Sequence, residues 1–145
     1  MDYDGDGLTD LVVVCSDVPY DGVYFFKNTG CINTETGMPV FNAAKRIGDA
    51  RKHLRPDEKL DRASNVRVSY VNGEPVILSP GKIYPDFKKT VFENPKKLTV
   101  EKDFHGYNLI DVRANEWEYV DFNGNGVLDL VIGLGYWGDY RGGSY

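Results

Sequence analysis

Two short stretches of the chain carry oxygen-bearing side chains at every second position. Residues 2–14 read "DYDGDGLTDLVVV" and residues 121–133 read "DFNGNGVLDLVIG". In the first, Asp2, Asp4, Asp6 and Asp10 stand at loop positions 1, 3, 5 and 9, with the Leu8 carbonyl available at 7. In the second, the same places hold Asp121, Asn123, Asn125, Asp129 and the Val127 carbonyl. A loop curled by its glycines can bring such oxygens to one centre. Ca²⁺ takes six to eight hard oxygens in flexible geometry, and this layout supplies most of them, with water completing the shell. Mg²⁺ demands stricter octahedral geometry, and zinc wants His or Cys, which neither loop offers.

The pattern is not an EF-hand, which needs a Glu at position 12 and flanking helices. Position 12 of the first loop is Val13, inside a β-rich run. The first loop has four carboxylates and the second two. Ligand charge tunes calcium affinity, so the first is expected to be the stronger site. The competing reading is an Asx-turn loop that holds itself together without metal. Four converging carboxylates would then repel one another. A bound ion is expected to be structural; the alternative, a catalytic calcium, is disfavoured because every nameable ligand is used up in the cage.

Strands must hold these loops. The residues after the first loop, "LTDLVVVC" (8–15), suit a strand covered on both faces. "VYFFKNTG" (23–30) reads as a second strand ending in an Asn-Thr-Gly turn, and "PVFNAAKRIG" (39–48) as a third. Residues 49–64 lack a regular apolar stripe and read as a loop or a short irregular helix. The pattern then restarts. "NVRVSYV" (65–71) alternates, with Val66, Val68 and Tyr70 on one face. Asn72-Gly73 marks a tight hairpin turn. "VILSPGKIYPDF" (76–87) and "TVFENPKKL" (90–98) complete the repeat.

"VFNAAKRI" (40–47) and "VFENPKKL" (91–98) match 51 positions apart. "SYVNG" (69–73) resembles "EYVDFNG" (118–124), so "VNGEP" (71–75) is a lapsed, metal-free copy of the Asp loop. Leu11, Val76 and Leu130 mark equivalent strand starts, 65 and 54 residues apart. About four strands in a period of roughly 50–60 residues is a propeller signature. The expected fold is all-β, built from propeller blades of about four antiparallel strands. Residues 1–48 read as a blade lacking its first strand, 65–98 as a degenerate blade, and 110–145 as the start of a third. Propellers typically close with at least four blades. The chain is therefore expected to be a segment of roughly two to two and a half blades, partnered by the remaining blades or a neighbouring chain.

With "DYDGDGLTDLVVV", "VYFFKNTG" followed by "PVF", and "DFNGNGVLDLVIG" in view, the sequence resembles the FG-GAP or VCBS-type repeats. The resemblance covers about half of the chain; residues 49–64 and 99–115 fit no repeat template. It implies calcium-bearing blades of a β-propeller, as in integrin-like and bacterial surface proteins. The "NTG…P.F" element is similar to the bacterial members, many of them secreted proteins of polysaccharide-degrading systems. The implied location is extracellular, periplasmic or on the bacterial cell surface.

In such a blade the calcium loops lie on one face of the disc. The second-to-third turns and the blade connections share the other. That opposite face is expected to collect Tyr20, His53, Arg55, His105, Tyr107, Tyr136, Trp137, Asp139, Tyr140 and Arg141. Aromatic rings flanked by hydrogen-bonding groups suit carbohydrate. Within "GYWGDYRGGSY" (135–145), Tyr136, Trp137, Asp139 and Tyr140 are the candidate ligand-binding residues. The alternative is that Tyr136 and Trp137 cap the next blade. His105, Tyr107 and Arg113 could serve as base, acid and neutraliser of a polysaccharide lyase, although nothing in the sequence brings them together. The functions in play are carbohydrate binding or scaffolding, part of a polysaccharide lyase or glycoside hydrolase, and an integrin-like adhesion module. No residue set commits the chain to catalysis.

Bulk properties narrow the field. The 145 residues suit one ordinary domain, and 16 Gly with 10 Tyr favour turn-rich β-structure. A net charge of −5 argues against a nucleic-acid partner. No apolar run approaches a membrane span, and no signal peptide is evident. Cys15 and Cys31 read at opposite ends of a hairpin, too far apart for a disulfide, so both are expected as free thiols.

Overall fold

A computed structural model describes residues 1–54, 65–100 and 115–134. Among the described residues are eleven strands and two four-residue helices. The strands form small antiparallel sheets, so the fold is all-β. The chain divides into two compact units, Met1–Ala63 with Asp86–Asn94, and Ser64–Pro85 with Pro95–Tyr145.

The first unit contains β1 (Leu11–Cys15), β2 (Gly22–Phe26), β3 (Asn28–Ile32), β4 (Pro39–Phe41) and β5 (Lys45–Gly48). It also holds α1 (Arg51–Leu54) and α2 (Phe87–Thr90). Its main sheet has the order β1-β2-β5, and β3 pairs with β4 as a separate hairpin. The expected strands at 23–30 and 39–48 are thus each broken in two. The break has local causes. The Asn28 N–H turns to the Asp10 side chain, and the Lys27 carbonyl accepts the Asn42 N–H. Gly30, at φ 74°, takes a conformation that glycine adopts without a Cβ clash, and the β3–β4 register slips.

The core of this unit is Val23, Ala50, Leu54, Phe87 and Phe92, all buried. Phe87 and Phe92 meet edge to face with centroids 5.3 Å apart. The double cover expected for β1 is not found. Among the described residues, Leu11 and Val13 remain 44% and 39% exposed while Val12 and Val14 are half-buried, so β1 packs through alternate side chains on one face.

The second unit contains β6 (Arg67–Val71), β7 (Glu74–Ser79), β8 (Lys82–Tyr84), β9 (Lys96–Lys97), β10 (Glu116–Val120) and β11 (Asp129–Gly133). The first four form a meander in the order β6-β7-β8-β9, and β10 pairs with β11. Asn72 and Gly73, at φ 53° and 82°, make the two-residue turn between Val71 and Glu74. Residues 90–98 do not form one strand. Thr90 closes α2, Val91 and Asn94 adopt φ 53° and 55°, and pairing resumes only at Lys96–Lys97. Lys45 and Lys96, 51 apart in the sequence, both lie in the outermost strand of their sheet.

Pro75 through Ser79 are buried on both faces of β7, the cover expected of β1. Val76, Leu78 and Trp117 form the core, with Val71, Ile83, Tyr119, Leu130 and Ile132 packed around it. The indole N–H of Trp117 donates to Asn115 Oδ1. The alternation of β6 is present but inverted relative to burial. Ser69 faces inward, while Val68 and Tyr70 are exposed. The reason is a cross-strand bond: Ser69 Oγ accepts the Tyr119 N–H at 2.9 Å, which draws the small polar side chain, not the large apolar ones, against β10.

Among the described residues no helix is long and apolar enough to cross a membrane. Cys15 and Cys31 are free thiols.

Candidate metal centre

The Asp-rich loops each join two paired backbone positions. The Met1 carbonyl accepts the Asp10 N–H at 2.8 Å, the Met1 amino group donates to the Asp10 carbonyl at 3.2 Å, and Val120 pairs with Asp129 in the β10–β11 register. Val71 and Glu74 hold the corresponding pair at the lapsed copy, with only Asn72-Gly73 between them.

Within the first loop the carboxylates fold the backbone around themselves. Asp2 accepts the N–H of Gly5 at 2.7 Å and of Gly7 at 3.0 Å. Asp4 accepts from Asp6 at 3.3 Å, and Asp6 from Leu8 at 2.9 Å. Asp10 reaches back to the Tyr3 N–H at 2.9 Å. Gly5 and Gly7 sit at φ 81° and 86°, which lets the turn curl without a Cβ clash.

The second loop repeats this scheme 119 residues on. Asp121 accepts from Gly126 at 2.8 Å, Asn123 from Asn125 at 3.0 Å, Asn125 from Val127 at 2.8 Å, and Asp129 from Phe122 at 3.2 Å. Gly124 and Gly126 sit at φ 74° and 83°. One bond shifts: the second acceptor oxygen of Asp121 takes the Asn125 N–H, where Asp2 takes that of Gly5. Two stretches with different charge therefore adopt one backbone design.

Oxygens of Asp2, Asp4 and Asp10 lie within 4.8 Å of one another. Two oxygens sharing one cation at about 2.4 Å can stand no more than about 4.8 Å apart, so these three carboxylates could hold a metal ion. Asp6 is not part of that cluster. Its outer oxygen, with that of Asp4, pairs with the Lys27 ammonium. Lys27 is consequently held protonated well above the usual lysine range, chiefly by hydrogen bonds to Asp4 and Asp6. Asp6 titrates below the usual carboxylate range, chiefly through the bond from Lys27.

Asp10 differs from the other ligand candidates in being buried, 4% exposed. Besides Tyr3, it accepts the Asn28 N–H at 2.8 Å. Tyr3 packs on Phe25 with centroids 4.9 Å apart and meets Phe87 edge-on at 6.4 Å. The first loop is thereby tied to the core by one carboxylate and one ring. The equivalent ring of the second loop, Phe122, is 80% exposed.

Sequence reasoning did not single out Lys27, Tyr3 or Asn28. The signal for Lys27 was a lone charge directly after the apolar run "VYFF", at a place where strand pairing then breaks.

The expected opposite surface is described in part. Asp21, in the 16–22 loop, accepts the backbone N–H groups of Ala50 and Arg51 at 3.2 and 2.7 Å. That joins this loop to the start of the 49–64 segment. Tyr20 is 69% exposed. His53 is withdrawn against Phe92, its Nε2 3.4 Å from Glu93. A cavity of about 470 Å³ beside it is lined by Ile47, Asp49, Thr90 and Val91 among others. Arg55, His105, Tyr107, Arg113, Tyr136, Trp137, Asp139, Tyr140 and Arg141 lie outside the described residues.

No family model, curated protein or solved structure matches this chain.

Proposed function

We propose that the chain is a calcium-stabilised β-propeller segment of a secreted or cell-surface protein, serving carbohydrate binding or scaffolding. One observation carries the calcium reading: the same hydrogen-bonded loop occurs twice, and in its first copy Asp2, Asp4 and Asp10 converge. Asp2, Asp4 and Asp10 hold the first ion with the Leu8 carbonyl, and Asp121, Asn123, Asn125 and Asp129 hold the second with that of Val127. The ion neutralises the carboxylates and fixes the turn between neighbouring strands. That is a structural task, since the side chains that hold the ion are also those that shape the loop.

The propeller reading is supported by the four-stranded meander β6–β9 and by the recurrence of its first turn at Met1–Asp10 and Val120–Asp129. The carbohydrate reading rests on the residue types of Tyr136, Trp137, Asp139 and Tyr140.

Calorimetric titration with Ca²⁺ tests the metal. Binding by the native chain that weakens in Asp4→Ala supports it; no heat from either chain overturns it. Titration with neutral and acidic polysaccharides tests the ligand. Binding lost in Trp137→Ala but kept in His105→Ala supports recognition without catalysis, whereas product release abolished by His105→Ala would make the chain part of a lyase.

A further inference from the structure

The first Asp loop carries a cation of its own. Lys27 lies between β2 and β3, and its backbone is fixed on both sides. The neighbouring Asn28 N–H bonds to Asp10, and the Lys27 carbonyl accepts from Asn42. From that anchored point its ammonium reaches Asp4 and Asp6 together. Asp4 also belongs to the converging set Asp2, Asp4 and Asp10. A divalent ion held by that set and the ammonium of Lys27 thus draw on the same carboxylate. Two positive charges cannot share it at contact distance without mutual repulsion. Among the described residues no lysine or arginine pairs with Asp121 or Asp129 as Lys27 does with Asp4.

We propose that Lys27 is a built-in competitor for the first calcium loop: its ammonium holds the loop when metal is absent and must leave Asp4 when Ca²⁺ binds. This rests on the calcium reading above and adds what sets the affinity. The first loop has more carboxylates than the second, yet part of that charge is already neutralised from within. Lys27 lowers the affinity of the richer loop and keeps its four acidic side chains from repelling one another at low calcium.

The test compares Ca²⁺ binding by calorimetry in an Asp121→Ala background, which leaves the first loop as the site measured, with and without Lys27→Met. Removing the competing charge is expected to tighten binding on the order of tenfold. The metal-free Lys27→Met chain should also unfold at lower urea. A second measurement needs no substitution. In ¹⁵N-lysine-labelled native protein, the Lys27 side-chain signal should shift toward that of a solvated ammonium as Ca²⁺ is added. Equal or weaker binding by Lys27→Met, or a Lys27 signal unmoved at saturating Ca²⁺, overturns the competition and leaves the calcium site standing. Absence of binding with or without Lys27 overturns the calcium site and the competition together.

Discussion

The carboxylate of Asp10 accepts the backbone N–H of Asn28 at 2.8 Å, across 18 residues of chain. The same side chain accepts the Tyr3 N–H at 2.9 Å. One buried acid therefore clasps the loop before β1 to the point where β2 gives way to β3. Asp10→Ala would leave both N–H groups without an acceptor. Each part-buried orphan costs about 1–3 kcal/mol, so a loss of about 2–6 kcal/mol is expected in urea denaturation. Asp10→Asn keeps one acceptor oxygen and should fall between the two. A change below about 0.5 kcal/mol in Asp10→Ala would show that the clasp is not made in solution.

The spacing of Asp2, Asp4 and Asp10 was legible in the sequence because an alternating donor pattern has few uses in a glycine-curled loop. Two of the turns were legible for the same reason: Leu11 and Leu130 each follow such a loop and begin or lie near the start of a paired strand, whereas Val76 follows the two-residue Asn72-Gly73 turn. The breaks within 23–30 and 39–48 were not, since they depend on Asp10 taking the Asn28 N–H, a partner 18 residues away. Nor was the inversion of β6. Alternation says which residues share a face, and only the Ser69–Tyr119 bond says which face is covered. The lone charge of Lys27 after "VYFF" was visible, but its partners were not, because its meeting with Asp4 and Asp6 is tertiary.

Trp117 is 1% exposed and packs with Val76 and Leu78. Trp117→Ala should cost about 3–5 kcal/mol, the usual range for emptying a large aromatic site. Trp117→Phe removes the indole N–H that Asn115 accepts and should cost less. Urea midpoints followed by circular dichroism check both.

Glu93 is held below its ordinary value of 4.5, chiefly by the hydrogen bond from Lys52. A carboxylate with a depressed folded pKa stabilises fully above its unfolded pKa. That contribution fades as pH falls through the lower folded value. In ¹³C NMR titration, Glu93 should move up toward 4.5 in Lys52→Ala, and the acid limb of stability should become shallower. An unchanged Glu93 titration would rule out the pairing.

Gly48 faces Val91, and a Cβ at position 48 would stand 3.0 Å from Val91 Cγ1. Val91 is β-branched and already at φ 53°, so it has little room to yield. Gly48→Ala should destabilise by about 1–3 kcal/mol, as crowding of a packed site does. Pairing it with Val91→Ala should recover part of that loss, which a double-mutant cycle reads directly.

Calcium at 100 times its dissociation constant should stabilise the native chain by about 2.7 kcal/mol per site, by mass action. A chelator should remove that gain. A thermal midpoint indifferent to both calcium and chelator would count against metal in either loop.

The two Asp-type loops are shaped by backbone N–H groups bonding to side-chain oxygens that Asp and Asn both possess. Asn123 and Asn125 make the bonds that Asp4 and Asp6 make. Contour thus depends on an acceptor oxygen that both side chains offer, whereas charge depends on whether the group is a carboxylate or an amide. A protein engineer can therefore exchange Asp for Asn at these places as a graded dial, resetting ionic demand one unit at a time while the curl of the chain stays as it was.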